Sequence, residues 1–197
     1  MSEAVGLRER KKARTRAAIQ EQALRLFAER GYHETTTEQI AAAAEISPST
    51  LFRYFPTKED LVLYDALDDA MAKALEEQPP ELTPIQAVRT AMATVLGGLD
   101  TDENGREAVR QRLAYSVPEL RARLYEQYVS TIKVLSKAMA RRLGREPDDE
   151  RTRLWSGAVV GTMIAAFDRG EEALISDPGF AERVDEALAF LEGGLEP

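Results

Sequence analysis

The stretch "SPSTLFRYFP", residues 47–56, sets two small hydroxyls, a guanidinium and a phenol within the length of one short helix. Residues four apart on a helix are neighbours, so Ser49 pairs with Arg53 and Thr50 with Tyr54 on one side, while Leu51 and Phe55 share the other. The polar side carries the chemistry of base-edge and phosphate recognition. A guanidinium can donate twice to guanine O6 and N7, hydroxyls meet bases or phosphates, and a phenol offers a ring and an O–H. An ordinary solvated surface has the same composition, and spacing alone leaves that alternative open. Thr36, Thr37 and Lys58 fall at expected helix N-termini, where unpaired N–H groups favour phosphate.

These side chains need helices to aim them. Ser47 caps the stretch and Pro48 occupies its first turn, where a missing N–H is harmless. Pro56 stops it near Tyr54–Phe55. Upstream, Thr36 and Gln39 form a capping box for a helix over Thr37–Ala44, with Ile40, Ala41 and Ala44 inward. The two short helices, joined by "EIS", have the size of a helix-turn-helix. A first helix is expected over Glu9–Arg30, with Ile19, Ala23, Leu26 and Phe27 at helical spacing and Gly31 as its stop. Thr57 caps an expected fourth helix from Lys58 to about Gln78.

Beyond the break "QPPELTP", helices are expected near Thr83–Leu99, Asn104–Tyr115, Pro118–Leu143, Asp148–Glu172 and Gly179–Leu191. The fold is therefore expected to be all-α, with about nine helices. A three-helix head over residues 1–57 precedes a larger helical domain over 58–197.

Charge divides the same way. The chain of 197 residues has a net charge of −8, yet residues 1–16 carry six basic groups (Arg8, Arg10, Lys11, Lys12, Arg14, Arg16) against Glu3 and Glu9. Residues 1–60 are close to neutral and the rest is strongly acidic. A basic arm can meet phosphates while an acidic body limits non-specific binding.

With no cysteine and one histidine, His33 in the turn "RGYHETT", the chain has neither disulfides nor a Cys- or His-rich metal site. We expect no metal and no cofactor. No apolar run reaches membrane-spanning length and the N-terminus is charged, so a cytoplasmic location without membrane contact is expected.

"TTTEQIAAAAEISPSTLFRYFPTKEDLV" resembles the DNA-binding head of the TetR family of bacterial transcriptional regulators. The resemblance rests on Thr36–Thr37, Ile40–Ala41, Thr50–Leu51–Phe52, Tyr54–Phe55 and Lys58–Glu59–Asp60–Leu61. Phe27, Gly31 and Tyr32 in "ALRLFAERGYHETT" keep the family's register, and the match spans roughly residues 10–65. It implies that Thr36, Thr37, Pro48, Ser49, Thr50, Arg53, Tyr54 and Lys58 contact DNA. There are two departures. Glu45 stands where the family's turn usually has glycine, so the turn either avoids left-handed geometry or bears strain. Phe52 replaces a common tyrosine and deletes a phosphate-bonding hydroxyl. "SPSTLFRYFP" further resembles a branch with an acyl-CoA-like ligand domain.

The resemblance also implies a homodimeric repressor with a ligand-binding domain, released from a palindromic operator by a small apolar or amphipathic molecule. Apolar or amphipathic residues on the expected central helices are candidate ligand contacts: Met71, Met92, Leu96, Leu113, Tyr115, Leu120, Tyr125, Tyr128, Trp155 and Met163. Plain core packing is the other account of each. Arg112 or Arg121 could hold a ligand carboxylate or phosphate. Gly157, Gly161 and Ala165, four apart, allow close helix approach, either across a two-fold interface or within one monomer, with Phe167, Leu188 and Leu191 adding apolar area.

Two other function classes stand beside this one. An enzyme finds little support, because there is no metal cluster, no phosphate-binding glycine loop and only a loop histidine. A helical ligand-binding adaptor that has lost DNA binding is kept alive by Glu45 and Phe52.

Overall fold

Side-chain caps place most of the helix starts. The computed structural model describes residues 2–64, 66–167 and 175–194, and among the described residues there are ten α-helices and no strand. The chain divides into two units, Met1–Tyr64 and Asp65–Pro197.

The first unit holds α1 (Ser2–Arg30), α2 (Thr37–Ala43), α3 (Pro48–Tyr54) and α4 (Asp60–Leu63). Helix α1 starts earlier than the expected Glu9 and ends where expected: Gly31 takes φ +89° and donates its N–H to the Phe27 carbonyl at 2.9 Å. Thr35, fully buried, donates its hydroxyl to the carbonyls of Leu26 (3.2 Å) and Gly31 (2.9 Å), sealing the following turn onto the end of α1. Thr36 and Gln39 form the capping box of α2. Ser47 caps α3 with Pro48 in its first turn. Ile19, Ala23, Phe27, Ile40, Leu51, Phe55 and Leu61 close the core beneath these caps.

The expected fourth helix, Lys58 to Gln78, is not one helix. Thr57 and Asp60 cap each other reciprocally, the Thr57 N–H on Asp60 Oδ2 (2.9 Å) and the Asp60 N–H on Thr57 Oγ1 (3.3 Å). After only four helical residues, Tyr64 turns extended, at φ −65° and ψ 116°. Gln20 of α1 explains the stop. Its side-chain amide donates to the carbonyls of Leu61 (3.2 Å) and Tyr64 (2.7 Å), satisfying acceptors at the helix end. The Tyr64 ring sits edge-on to Phe55 at 6.0 Å, with the Arg16 guanidinium 4.5 Å from its centroid. Contacts to α1 outweigh a helical periodicity that runs on unbroken in the sequence. This break accounts for ten helices in place of about nine.

The second unit holds α5 (Ala66–Glu76), α6 (Pro84–Gly97), α7 (Thr101–Ser116), α8 (Pro118–Arg142), α9 (Glu150–Phe167) and α10 (Phe180–Glu192). Helix α7 starts at Thr101 rather than Asn104, because Asp100 and Glu103 make a capping box inside the expected break "DTDENG". The expected extension of α9 to Glu172 lies outside the described residues. Arg142 on α8 donates to the carbonyls of Gln78, Pro79 and Leu82 and ties down the loop between α5 and α6. Arg89 on α6 forks onto Asp185 of α10 (2.7 and 2.8 Å) and also reaches Glu192. Ala87, Val88, Ala91, Met139, Val184 and Leu188 form the core between them. No helix among the described residues is long and apolar enough to cross a membrane.

Candidate nucleic-acid interface and cavity

Helix α3 separates its two sides as its spacing predicts. Leu51 and the adjoining Phe55 are 0% and 1% exposed, while Pro48, Ser49 and Arg53 are exposed and Thr50 and Tyr54 half-buried. The Ser47 hydroxyl binds the hydroxyls of Ser49 and Thr50, each at 3.0 Å, so the N-terminal hydroxyls of α3 form one connected cluster. The Arg53 guanidinium lies 5.5 Å from the Tyr54 ring centroid, a cation–π contact that supports it at an open surface. Phe52, 44% exposed, adds an aromatic ring to this surface.

The turn between α2 and α3 adopts the left-handed geometry that its sequence left in question. Glu45 has φ +54°. Its N–H bonds the Ala42 carbonyl (3.1 Å) and that of Ile46 bonds Ala41 (2.9 Å), the paired pattern of a Schellman motif with Glu45 in the usual glycine place.

Thr36 is exposed and Thr37 half-buried at the start of α2. The Thr36 hydroxyl already accepts the Gln39 N–H at 3.3 Å. Lys58 is engaged inside the unit: its ammonium donates to the Tyr32 carbonyl at 2.5 Å and lies 4.3 Å from the Tyr32 ring centroid. Arg16, counted in the basic arm, is instead half-buried over Tyr64. The side chains of Arg8 and Arg10 lie outside the described residues. Lys11, Lys12 and Arg14 are exposed on α1. His33 is exposed and lies edge-on to Tyr32 at 5.4 Å.

The second unit holds a partly open cavity of about 510 Å³. Its lining includes Met71 of α5, Met92 and Leu96 of α6, Tyr115 of α7, Tyr128 of α8 and Met163 of α9. The hydroxyls of Tyr115 and Tyr128 meet at 2.5 Å. Burial first, and this hydrogen bond second, push the Tyr128 phenol far above its ordinary value, so it stays protonated. Glu107 and Arg110 of α7 also line the cavity and form an ion pair.

Residues 19–64 match the family model described as bacterial regulatory proteins, tetR family, and residues 82–196 match that of the MftR C-terminal domain. The regulator TcmR of Streptomyces glaucescens is 37% identical over 152 residues, covering 74% of this chain and 67% of that protein. The chain belongs to the TetR family. It is a DNA-binding transcriptional regulator. Two solved structures share its fold. The fatty acid degradation regulator FadR of Bacillus halodurans has a TM-score of 0.60 at 22% identity, over 92% of this chain and 96% of that one. FadR of Thermus thermophilus, solved with lauroyl-CoA, has a TM-score of 0.55 at 22% identity, over 92% and 95%.

Within this TetR-family chain, six of the candidate ligand residues line the cavity and four do not. Leu113, Tyr125 and Trp155 lie off it, and Leu120 is fully buried elsewhere. Arg112 and Arg121 are exposed. The cavity's guanidinium belongs to Arg110, which sequence reading passed over; its signal was the helical partner Glu107 three residues before it. Among the candidate interface residues, Gly161 and Ala165 are exposed on α9 and Gly157 is half-buried. Leu154, 62% exposed, extends their line. Leu188 offers no surface: it is fully buried in the core of its own unit, and Leu191 packs partly buried against it. The side chain of Phe167 lies outside the described residues.

Proposed function

We propose that this regulator is a homodimeric repressor that presents α3 of each copy to successive major grooves of a palindromic operator, and that a small, largely apolar molecule in the cavity releases it. One observation carries the reading. Leu51 and Phe55 anchor α3 from beneath while Ser49, Thr50, Arg53 and Tyr54 stand on its open side. Arg53 is the base reader, the hydroxyl cluster and Tyr54 meet bases or phosphates, and the exposed Phe52 ring suits a thymine methyl group. Thr36, Thr37 and Pro48 flank the groove edge. Lys58 acts through Tyr32, holding the turn after α1. The acidic body binds rather than catalyses.

Dimerisation is assigned to the outward line of Leu154, Gly157, Gly161 and Ala165 on α9, with the exposed Phe190 of α10 adding apolar area. Two copies place two recognition helices about 34–36 Å apart, one turn of B-DNA. A ligand that favours a different spacing loosens the operator roughly 5- to 150-fold for a coupling of about 1–3 kcal/mol. The cavity's apolar lining suits such a ligand, and the Thermus thermophilus FadR holds lauroyl-CoA.

Selection from a random duplex pool, followed by titration of the recovered site, tests the reading. Arg53→Ala should lose about 1–3 kcal/mol at one base position and relax preference there. Unchanged affinity and preference would show that α3 is not the reader.

A further inference from the structure

Three residues that line the cavity of the second unit are also exposed: Ala72 of α5, and Ser130 and Val134 of α8. Val134 is 61% exposed. A single exposed valine is ordinary on a protein surface. This one follows Ser130 by one helical turn, so the two mark a single edge of α8. Inward from that edge come the partly buried Gln127 and Thr131 and then the buried Leu124, all of them lining.

An edge of α5 faces that edge of α8. Glu76, one turn after Ala72, pairs with Arg141 of α8 at 3.7 Å. Arg141 stands two turns beyond Val134 and therefore on the same side of α8 as Ser130 and Val134. The two side chains are 67% and 70% exposed, and an ion pair so open to water holds its helices only weakly. The firmer fastening of α5 is at its far end, where Arg142 grips the carbonyls that follow the helix and where Ala74 and Leu75 are buried. Toward its start, Leu67 and Met71 are half-buried and border the cavity.

We propose that the effector enters and leaves the cavity between α5 and α8, through a mouth bordered by Ala72, Ser130 and Val134. This rests on reading the cavity as the effector site. A mouth is told from a seat by rates. An obstacle in the way in raises the barrier to entry and to exit alike, so association and release slow together and affinity stays; a lost contact with the seated molecule shows mostly in release.

The native chain has no cysteine, so an introduced thiol places a plug at one chosen point. Val134→Cys and Ala72→Cys put it on either side of the mouth. Val129→Cys, at a position 54% exposed on α8 and outside the lining, is the control. Each intact variant is coupled to a polyethylene glycol maleimide. The probe is N-phenyl-1-naphthylamine, an uncharged dye that brightens in apolar surroundings. Stopped flow follows it by energy transfer from Trp155, the chain's single tryptophan, which packs against the core of this unit. Coupling at position 134 or 72 should slow association and release together by about tenfold or more and leave affinity within about twofold. Coupling at position 129 should change neither rate. Bound dye should in turn shield Val134→Cys from the maleimide and leave Val129→Cys as reactive as before. The two mouth variants lie on separate helices, so the test stands should one fold poorly. Unchanged rates with both plugs in place overturn the mouth and leave the cavity as a ligand site. A loss of affinity through faster release overturns it too, making these residues part of the seat. A native chain that does not take up the dye overturns both the mouth and the reading beneath it.

Discussion

The two units of this chain put their apolar residues to opposite uses. Of the twelve largest fully buried side chains among the described residues, eight belong to the unit Met1–Tyr64, although it is less than half the length of the other. The longer unit leaves about 510 Å³ unfilled. A reading head works by holding one face still, so its core is filled and its short helices are capped. A sensing body needs room, so it leaves part of its interior to a ligand. The lesson is that apolar content alone does not measure packing: the difference lies in what faces each apolar side chain.

The largest expected effect breaks the head. Phe55→Ala should cost about 3–5 kcal/mol through the cavity it leaves and abolish operator binding, while the fluorescence of Trp155 in the other unit stays unchanged. Retained DNA affinity would mean that the head does not depend on its filled core. Within the body, Met139→Ala, at a site with 0% exposure, should cost about 2–5 kcal/mol. Met92→Ala, beside the cavity, should cost roughly 1 kcal/mol or less, because that side chain already borders empty space. Equal urea midpoints for the two variants would erase the contrast. Glu45→Gly relieves a left-handed residue and should stabilise the head by about 0.5–1 kcal/mol, visible as a raised melting temperature.

The smallest effect concerns acid. The Thr152 hydroxyl and N–H, and then Arg145, hold the Asp149 carboxyl down at about 2, against an ordinary 3.8. A carboxyl depressed on folding contributes stability above its ordinary value, and that contribution fades as pH falls from about 4 through 2. Acid titration of Asp149→Asn should lack this part of the slope, because asparagine still caps α9 but does not titrate. Coincident curves would show that the cap carries no charge-dependent stability.

Most of the head was legible in its residues. Thr36 with Gln39, Ser47 with Pro48, and Gly31 are local signals that act within a turn, so they survive translation into structure unchanged. Leu51, Phe55, Ser49 and Arg53 took their sides because helical geometry fixes them. Glu45 was legible as a problem, and in the structure it sits in a strained Schellman turn. The Tyr32 carbonyl that Lys58 meets and the Tyr64 ring beneath Arg16 were not legible, because a cation in sequence does not say which carbonyl or ring it will meet.

The body was legible as helices and little more. Met71, Met92 and Met163 at helical spacing read more readily as core than as lining, and only the packing of α5 to α9 left space beside them. Leu188 read as surface and is core for the same reason. By itself, then, the sequence determined the helices, their caps and the two-faced α3, since each depends on neighbours within about four residues. The break at Tyr64, the pairing of Glu107 with Arg110 at a cavity wall, and the cavity itself were decided by tertiary structure. Each depends on which distant side chain arrives, as Gln20 does at Tyr64, and no local spacing encodes that.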